Sequence, residues 1–296
     1  MALVVDGDHG QMRRVLWSSL ALLAILGFGV SACGSGSGSG DAASTTATDA
    51  STTTVDGHGG RSGTPVRVYF VRGENLATGG SQVSGETVGR SAIEALLQGP
   101  EHTNQIAGLV TMIPDGTELL GLEVAEGTAT IDLSEEFTSG GGSSSMMLRT
   151  GQVVFTLTQF PTVERVEFLI EGEQVDGLGG EGLPTSYDGR GSFADVTPPI
   201  LAETPTPHQQ VSSPITISGM SNTFEAAFRY SVRTTEGALL AEGARMATSG
   251  SGMWGTFEIE AEVAAYEGDV VITLWEESME DGGDRLNIYE VPVTLG

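Results

Sequence analysis

The chain has 296 residues, and 39 acidic residues against 13 basic ones give it a formal net charge of −26. Such an acidic surface repels phosphate groups, so the composition argues against partners such as nucleic acid or a bare anionic membrane surface. Every basic residue is an arginine. Without lysine, the chain can form neither a Walker A phosphate loop nor a Schiff base nor a Ser-Lys dyad.

The four histidines and the single cysteine do not form a cluster in the sequence. The histidines are near the amino terminus, in a Gly/Ser/Thr tract, after a Gly-Pro pair and in a proline-rich segment: His9, His58, His102 and His208. None of these settings is typical of a catalytic triad or a metal site. We therefore predict no catalytic residue, no metal ligand and no cofactor, and a protein that is not an enzyme.

The amino-terminal segment has the pattern of an export signal. An arginine pair at 13–14 precedes an apolar run over 15–30, which is short for a membrane span. The small residues at 30–32 lead into Cys33, and this arrangement resembles the bacterial lipobox, in which the cysteine is acylated after cleavage before it. We expect residues 1–32 to be a signal peptide and Cys33 to be the lipidation site, with palmitate-type acylation. The protein would then be anchored to the cell membrane on its extracytoplasmic face.

Two alternatives remain open for this segment. One is a plain signal cleaved at an Ala-x-Ala-like site, and the other is an uncleaved anchor helix. Asp6 and Asp8 are unusual in an export signal. We therefore expect translation to begin at Met12 rather than at Met1.

Residues 33–64 form the predicted lipid anchor and tether. Glycine, serine and threonine dominate this stretch. Too few apolar side chains are present to offset the entropy of ordering, so we expect disorder here. The tether would hold the folded part of the chain away from the membrane.

Residues 65–176 alternate between period-two and period-3.6 patterns, which is typical of an α+β domain. The expected order is strand, helix, strand, strand, helix, strand. The corresponding segments are a strand at 66–70, a helix at 86–98, a hairpin over 120–133, a helix over 143–159, a strand at 166–170 and a short edge at 174–175.

Residues 177–200 are rich in glycine and end in Thr-Pro-Pro, so we predict a linker with a stiff end. From 201 to 296 the sequence alternates between apolar and polar residues without a helical pattern. This spacing predicts an all-β sandwich of two sheets. The expected strands are at 215–219, 225–233, 238–243, 254–263, 269–275 and 286–295.

Several phrases give these two regions a family resemblance. The first is similar to the GerMN domain of sporulation and germination lipoproteins through LLQGP (96–100), IPDGTELLGLEV (113–124), IDLSEEF (131–137) and VERVEFLIEGEQV (163–175). The second resembles the Gmad-type immunoglobulin-like domain of bacterial spore germination through VSSPITISGMSNTFEAAFRYSV (211–232), GTFEIEAEV (255–263) and IYEVPVTL (288–295). The second departs from the usual pattern at 274–282. The resemblance implies a GerMN fold followed by an immunoglobulin-like sandwich.

Paired acidic residues offer the main chemical alternatives. Glu135 with Glu136, or Glu276 with Glu277, would be the carboxylates of a glycan hydrolase, but neighbours on a strand face opposite ways. The acidic loop at 276–284 is a weaker candidate for calcium because it lacks the EF-hand spacing. Three aromatic residues on the predicted strands are expected in the core rather than on a carbohydrate-binding platform: Trp254, Trp275 and Tyr289.

The resemblance implies a non-catalytic cell-envelope lipoprotein that binds or scaffolds. Its partners would be the membrane, through the lipid anchor, and an envelope protein or a cell-wall polymer. The alternatives are a carboxylate-dependent cell-wall hydrolase and a solute-binding lipoprotein.

Overall fold

The computed structural model describes residues 63–85, 87–180, 182–280 and 283–296. All of them belong to one compact unit, His58–Gly296. The predicted signal peptide, Cys33 and almost all of the predicted tether lie outside the described residues. Within the described part of the chain, no helix is long and apolar enough to cross a bilayer.

The first region is built from six strands and three α-helices. In chain order they are β1 (Thr64–Arg72), β2 (Asn75–Val83), α1 (Val88–Leu97), α2 (His102–Ile106), β3 (Leu119–Ala125), β4 (Thr128–Leu133), α3 (Ser143–Leu157), β5 (Arg165–Ile170) and β6 (Ser186–Tyr187). The predicted order of strands and helices is present. The structure adds β2, which pairs with β1 in a hairpin, and the short helix α2.

The main sheet of this region has the order β3-β4-β5-β6. β3 and β4 form the predicted hairpin, and its turn places Glu126 at φ 49° and Gly127 at φ 81°. β4 and β5 run parallel, so α3 is the crossover between them. The edge beside β5 is formed by β6, at Ser186–Tyr187, so the predicted edge strand at 174–175 is wrong.

Helix α3 is the centre of the first core. Its residues from Leu148 to Leu157 are all buried. The Phe155 ring packs edge to face against the rings of Tyr69 in β1 and of Phe193, with centroid distances of 5.3 Å and 6.0 Å. A helix enclosed on several sides needs apolar residues beyond a single stripe, which explains its weak amphipathic pattern.

The segment at 177–200, predicted to be a linker, is folded onto this core. It contains β6 and a 3-10 helix at Gly191–Val196, and Leu178, Tyr187 and Phe193 are buried. The rings of Tyr187 and Phe193 pack against each other in a tilted arrangement, with their centroids 4.9 Å apart. Because these aromatic rings extend the first core, the two regions meet without a flexible spacer.

The second region is an all-β sandwich, as predicted. Its strands are β7 (Ile200–Thr204), β8 (Gln210–Val211), β9 (Ile215–Ser221), β10 (Ala227–Thr234), β11 (Leu239–Met246), β12 (Gly255–Ala261), β13 (Gly268–Glu277) and β14 (Arg285–Leu295). One sheet has the order β11-β10-β13-β14-β8 and the other β12-β9-β7. Phe228 and Phe257 pack against each other between the two sheets, with their ring centroids 4.8 Å apart. β7 and β8 were not among the expected strands.

Candidate functional site at the domain junction

The carboxylates considered for glycan hydrolysis lie on two separate elements, one in each region. Glu135 starts a 3-10 helix on the first region, and a hydrogen bond from Ser134 lowers the pKa of its neighbour Glu136. A general acid needs a raised pKa, so the direction at Glu136 is opposite to what hydrolysis requires.

The second carboxylate pair belongs to the sandwich. Glu276 accepts hydrogen bonds from the backbone N–H of Phe224 at 2.8 Å and from Asn287 at 2.7 Å. Glu277 forms an exposed ion pair with Arg229 at 3.2 Å. Both carboxylates line one groove at an end of the sandwich, but each is held by a different structural partner.

The acidic loop at 276–284 was also considered for calcium. Asp281 lies outside the described residues. Among the residues that the structure does describe, no group of three or more His, Cys, Asp or Glu side chains is placed to hold a metal. Calcium binding by this loop stays an untested alternative.

The three aromatic residues expected in the core differ in their surroundings. Trp275 and Tyr289 are buried at 5% and 4% exposure, whereas Trp254 precedes β12 and is only partly buried. The guanidinium of Arg285 covers the Trp275 ring at 4.0 Å. Trp275 and Tyr289 are thus not available as a carbohydrate platform.

A buried polar cluster joins the two regions, and the sequence does not predict it. Tyr69 comes from β1, Arg190 from the segment before the second region, and Glu203 from β7. The Glu203 carboxylate pairs with Arg190 at 2.5 Å and accepts the Tyr69 hydroxyl. Arg190 also donates to the Phe155 carbonyl at 3.1 Å and lies over the Phe155 ring at 4.6 Å. We call Tyr69, Arg190 and Glu203 the junction triad.

The electrostatics of the junction triad favour the ionised pair. Burial alone would raise the pKa of Glu203, but Arg190, the Tyr69 hydroxyl and nearby Arg67 together lower it. Burial also raises the pKa of Tyr69 far above its ordinary value, so its hydroxyl keeps the proton that it donates. Arg190 and Glu203 side chains are only 17% and 15% exposed, so solvent screens this pair weakly.

A second contact ties β1 and β2 to the last strand of the sandwich. The Tyr289 hydroxyl accepts a hydrogen bond from the backbone N–H of Thr78 at 3.3 Å. The guanidinium of Arg72 lies over the Tyr289 ring at 4.6 Å and donates to the Glu290 carbonyl at 3.0 Å. Two separate polar contacts therefore hold the regions together, which limits their relative rotation.

A cleft of about 790 Å³ opens beside the junction triad. Arg67, Gln159 and Glu203 line it together with Thr206 and His208. The Nε atom of Arg67 and the Nε2 atom of His208 are buried without a hydrogen-bonding partner among the described residues. We call this space the junction cleft; polar and apolar surface contribute about equally to its lining, which belongs to both regions.

Sequence reasoning missed this site because its members are far apart in the chain. Tyr69 lies 121 residues before Arg190 and 134 before Glu203. One local signal was present: Arg190 is the single charged cation in the glycine-rich stretch at 177–200. Tyr187 and Phe193 in the same stretch are a stronger signal, because a solvated spacer rarely carries large aromatic side chains.

Comparisons with known proteins support the two-domain reading. Residues 61–176 match the family model for sporulation and spore germination, and residues 200–283 match the one for the immunoglobulin-like domain of bacterial spore germination. A search of curated protein sequences gives no match.

Solved structures resemble parts of the chain. A Clostridium perfringens protein described as a lipoprotein is 24% identical, with 45% of this chain and 92% of that one covered and a TM-score of 0.33. The first GerMN domain of the sporulation protein GerM from Bacillus subtilis is 21% identical, with 43% and 96% covered and a TM-score of 0.36. The tandem GerMN domains of the same protein are 15% identical, with 78% and 60% covered and a TM-score of 0.38. These TM-scores are too low to support a functional argument.

Proposed function

Because the chain carries a sporulation and spore germination (GerMN) domain followed by an immunoglobulin-like domain of bacterial spore germination, we propose that it is a non-catalytic binding module of the cell envelope. In this proposal Cys33 is lipidated and anchors the module to the extracytoplasmic face of the membrane. The two domains, held as one body, bind an envelope protein or a wall polymer.

The observation that carries the proposal is the junction triad. A buried ion pair with its remaining hydrogen bonds satisfied is expensive to assemble and strongly destabilising to break. Its placement between two domains fixes their relative orientation rather than serving either core alone. A fixed two-domain surface suits binding to a large partner, because the two domains lose little conformational entropy when the complex forms.

The described carboxylates support the non-catalytic part of the proposal. The Glu203 side chain is only 15% exposed, and Arg190 and Tyr69 already bind its carboxylate. Its pKa is lowered, as is that of Glu136. Neither residue has the raised pKa that a general acid uses at neutral pH.

Replacing Cys33 with alanine tests the anchoring. We expect Cys33→Ala to be released from the membrane fraction, to lose the mass of the acyl groups and to keep the melting temperature of the wild type. Ser31→Ala, which keeps the cysteine, is the matched control and should remain attached. A Cys33→Ala protein that stays membrane-bound with unchanged mass would disprove lipid anchoring.

The binding role and the hydrolase alternative differ in a dye-release assay on purified cell wall. We expect no release of dye, together with crosslinking of the protein to an envelope component in intact cells. Dye release that disappears in Glu276→Gln or Glu136→Gln would instead establish hydrolysis.

The junction cleft favours one second candidate function, a solute-binding lipoprotein. Its two buried unpartnered nitrogen atoms would suit a small polar ligand that offers an acceptor to the Arg67 Nε–H and a donor or an acceptor to His208 Nε2. Soluble wall fragments and amino acids screened by thermal shift test this candidate. A shift in melting temperature that is lost in His208→Ala would favour it over binding of a macromolecule.

A further inference from the structure

An apolar groove of about 440 Å³ lies at one end of the immunoglobulin-like domain, away from the residues that line the junction cleft. Phe224, Met246 and Met279 line it at 54%, 70% and 80% exposure. Large apolar side chains that are exposed singly need no explanation, but three around one groove form a patch typical of an interaction site. Methionine adapts its shape to a bound surface, which suits such a site.

The backbone beside the groove is held in an unfavourable conformation. Glu225 and Ala226 have φ of 52° and 59°, and two consecutive residues with side chains rarely adopt this region. The Glu276 carboxylate fixes the preceding N–H of Phe224 at 2.8 Å, and the Ser251 hydroxyl fixes that of Glu225 at 2.9 Å. Such strain is maintained where surrounding contacts require it, and it clusters at binding sites. Phe224, the residue before this pair, is the exposed aromatic residue of the groove.

The groove is bordered by a sheet edge. β11 pairs with β10, with Met246 opposite Ala227, and it is the terminal strand of its sheet within the described residues. Its outer edge therefore offers unpaired backbone groups. Ala244, Arg245 and Met246 belong to both β11 and the groove lining, so a strand added to this edge would place side chains in the groove.

Charge selects the kind of segment that would bind there. Among the described residues, the exposed Glu225 carboxylate has no partner, and the exposed Glu280 is next to Met279. Arg229 is occupied by Glu277, and Arg245 lies over the Tyr230 ring at 5.3 Å. With a net charge of −26, the chain attracts a basic segment and repels an acidic one.

The same charge argues against other occupants. A second copy would bring another −26 to the groove, and an anionic lipid surface would be repelled. The chain's own predicted tether, residues 34–62, has no aromatic residue and no methionine, leucine or isoleucine to fill the groove. A basic protein segment is the occupant that fits both the charge and the apolar lining.

We propose that the free edge of β11 and the adjoining groove bind an extended segment of a partner protein, in which apolar side chains that enter the groove alternate with arginine or lysine. The segment would add to β11 as a further strand. This inference deepens the proposed binding function by naming the surface and the chemistry of the partner. It does not depend on lipid anchoring or on the junction cleft.

Fluorescence anisotropy with synthetic peptides tests the proposal on the full chain in detergent. The probe is a peptide in which arginine alternates with isoleucine; one control has the same residues in two blocks, and another has glutamate for arginine. We expect binding of the first peptide alone, with slowed amide hydrogen exchange in β11. We expect Met246→Asp to weaken it by about tenfold or more, because one buried anchor is lost.

Met253→Asp is the matched control, since Met253 is 68% exposed and outside the groove lining. It should bind like the wild type. Equal binding of all three peptides, or protection outside β11, would overturn the proposal. The proposal would also be overturned if the protein formed a dimer, or bound lipid vesicles, and Met246→Asp abolished that association. If crosslinking in cells finds an envelope partner while these peptides do not bind, the proposed function stands and the β11 surface is wrong.

Discussion

Glu203 is the residue at which the joining of the two domains becomes sensitive to pH. Its pKa is lowered in the folded chain, so its ionised form stabilises the fold above the ordinary glutamate pKa of about 4.3. That contribution is lost as the pH falls through the lowered folded pKa. Tyr69 acts in the opposite direction because its pKa is raised in the folded chain. Its protonated hydroxyl stabilises the fold below the ordinary tyrosine pKa of about 10, and this contribution is lost as the pH rises from there through the raised folded pKa.

Glu203→Gln tests this linkage. At pH 7 we expect the variant to have a free energy of unfolding lower by about 2 kcal/mol, because a hydrogen-bonded charge opposite Arg190 is removed. The difference from the wild type should shrink as the pH falls below about 4, when Glu203 of the wild type also takes up a proton. Urea denaturation over a pH series measures both effects.

Glu277→Gln serves as the control for Glu203→Gln, since its ion pair with Arg229 has side chains 49% and 39% exposed. Exposed pairs contribute less than about 1 kcal/mol, so this variant should change stability little at any pH. A Glu203→Gln deficit that persists unchanged in acid would show that lost packing, rather than lost charge, is responsible.

At the residue scale, the sequence predicts core positions better than polar contacts. Val66, Val68 and Phe70 are buried as their alternation indicates, but Tyr69 between them is buried as well. Period-two alternation predicts a strand with one buried face, and it does not predict a strand that is covered on both faces. The partners of Tyr69 are more than a hundred residues away, and no local pattern encodes such a contact.

At the scale of elements, β2 meets the start of the sandwich through a glycine. A Cβ on Gly80 would lie 2.4 Å from the Thr206 Oγ1 atom and 2.9 Å from its Cβ. Thr206 is β-branched and its hydroxyl contacts Gln209, so it has little room to move. The close approach of these two segments therefore requires glycine at position 80.

Gly80→Ala should lower the free energy of unfolding by about 1 to 3 kcal/mol, the usual effect of overpacking. Adding Thr206→Gly should recover part of that loss, because the colliding side chain is gone. Thermal and urea unfolding of the four proteins in this cycle give the coupling between the sites. Gly191→Ala, where a Cβ meets nothing within 4 Å, is the control. Additive effects in the cycle would contradict the contact.

The sequence predicts elements well where alternation is strong. β12 (Gly255–Ala261) and β14 (Arg285–Leu295) fall within a few residues of the expected strands. β2 was missed because its sequence, NLATGGSQV, is rich in glycine and polar residues. Its pairing partner β1 supplies the stability that propensity does not.

At the scale of the whole molecule, charge and architecture point in one direction. A net charge of −26 keeps copies of the protein apart, so self-association through the exposed β11 edge is disfavoured. The polar contacts at the junction meanwhile keep the two domains together. The outcome is an acidic two-domain body that would attract the basic segment proposed above, and the proposed lipid anchor would confine the search for such a partner to the membrane surface.

The strength of the junction decides whether the two domains unfold together. Domains that share little surface usually unfold separately, but here a buried ion pair and the Tyr289 contact must break before either domain can move away. We therefore expect one calorimetric transition, with the calorimetric and van't Hoff enthalpies nearly equal.

Arg190→Met should divide this transition in two, because Glu203 is left buried without its cation and separation of the domains relieves that cost. Arg229→Met removes a cation from an exposed pair instead and should preserve the single transition. Two transitions in the wild type would mean that the junction is too weak to couple the domains. If Arg190→Met still unfolded in one transition, the Tyr289 contact would be responsible for coupling the domains. Calorimetry of the double variant Tyr289→Phe, Arg190→Met would test this.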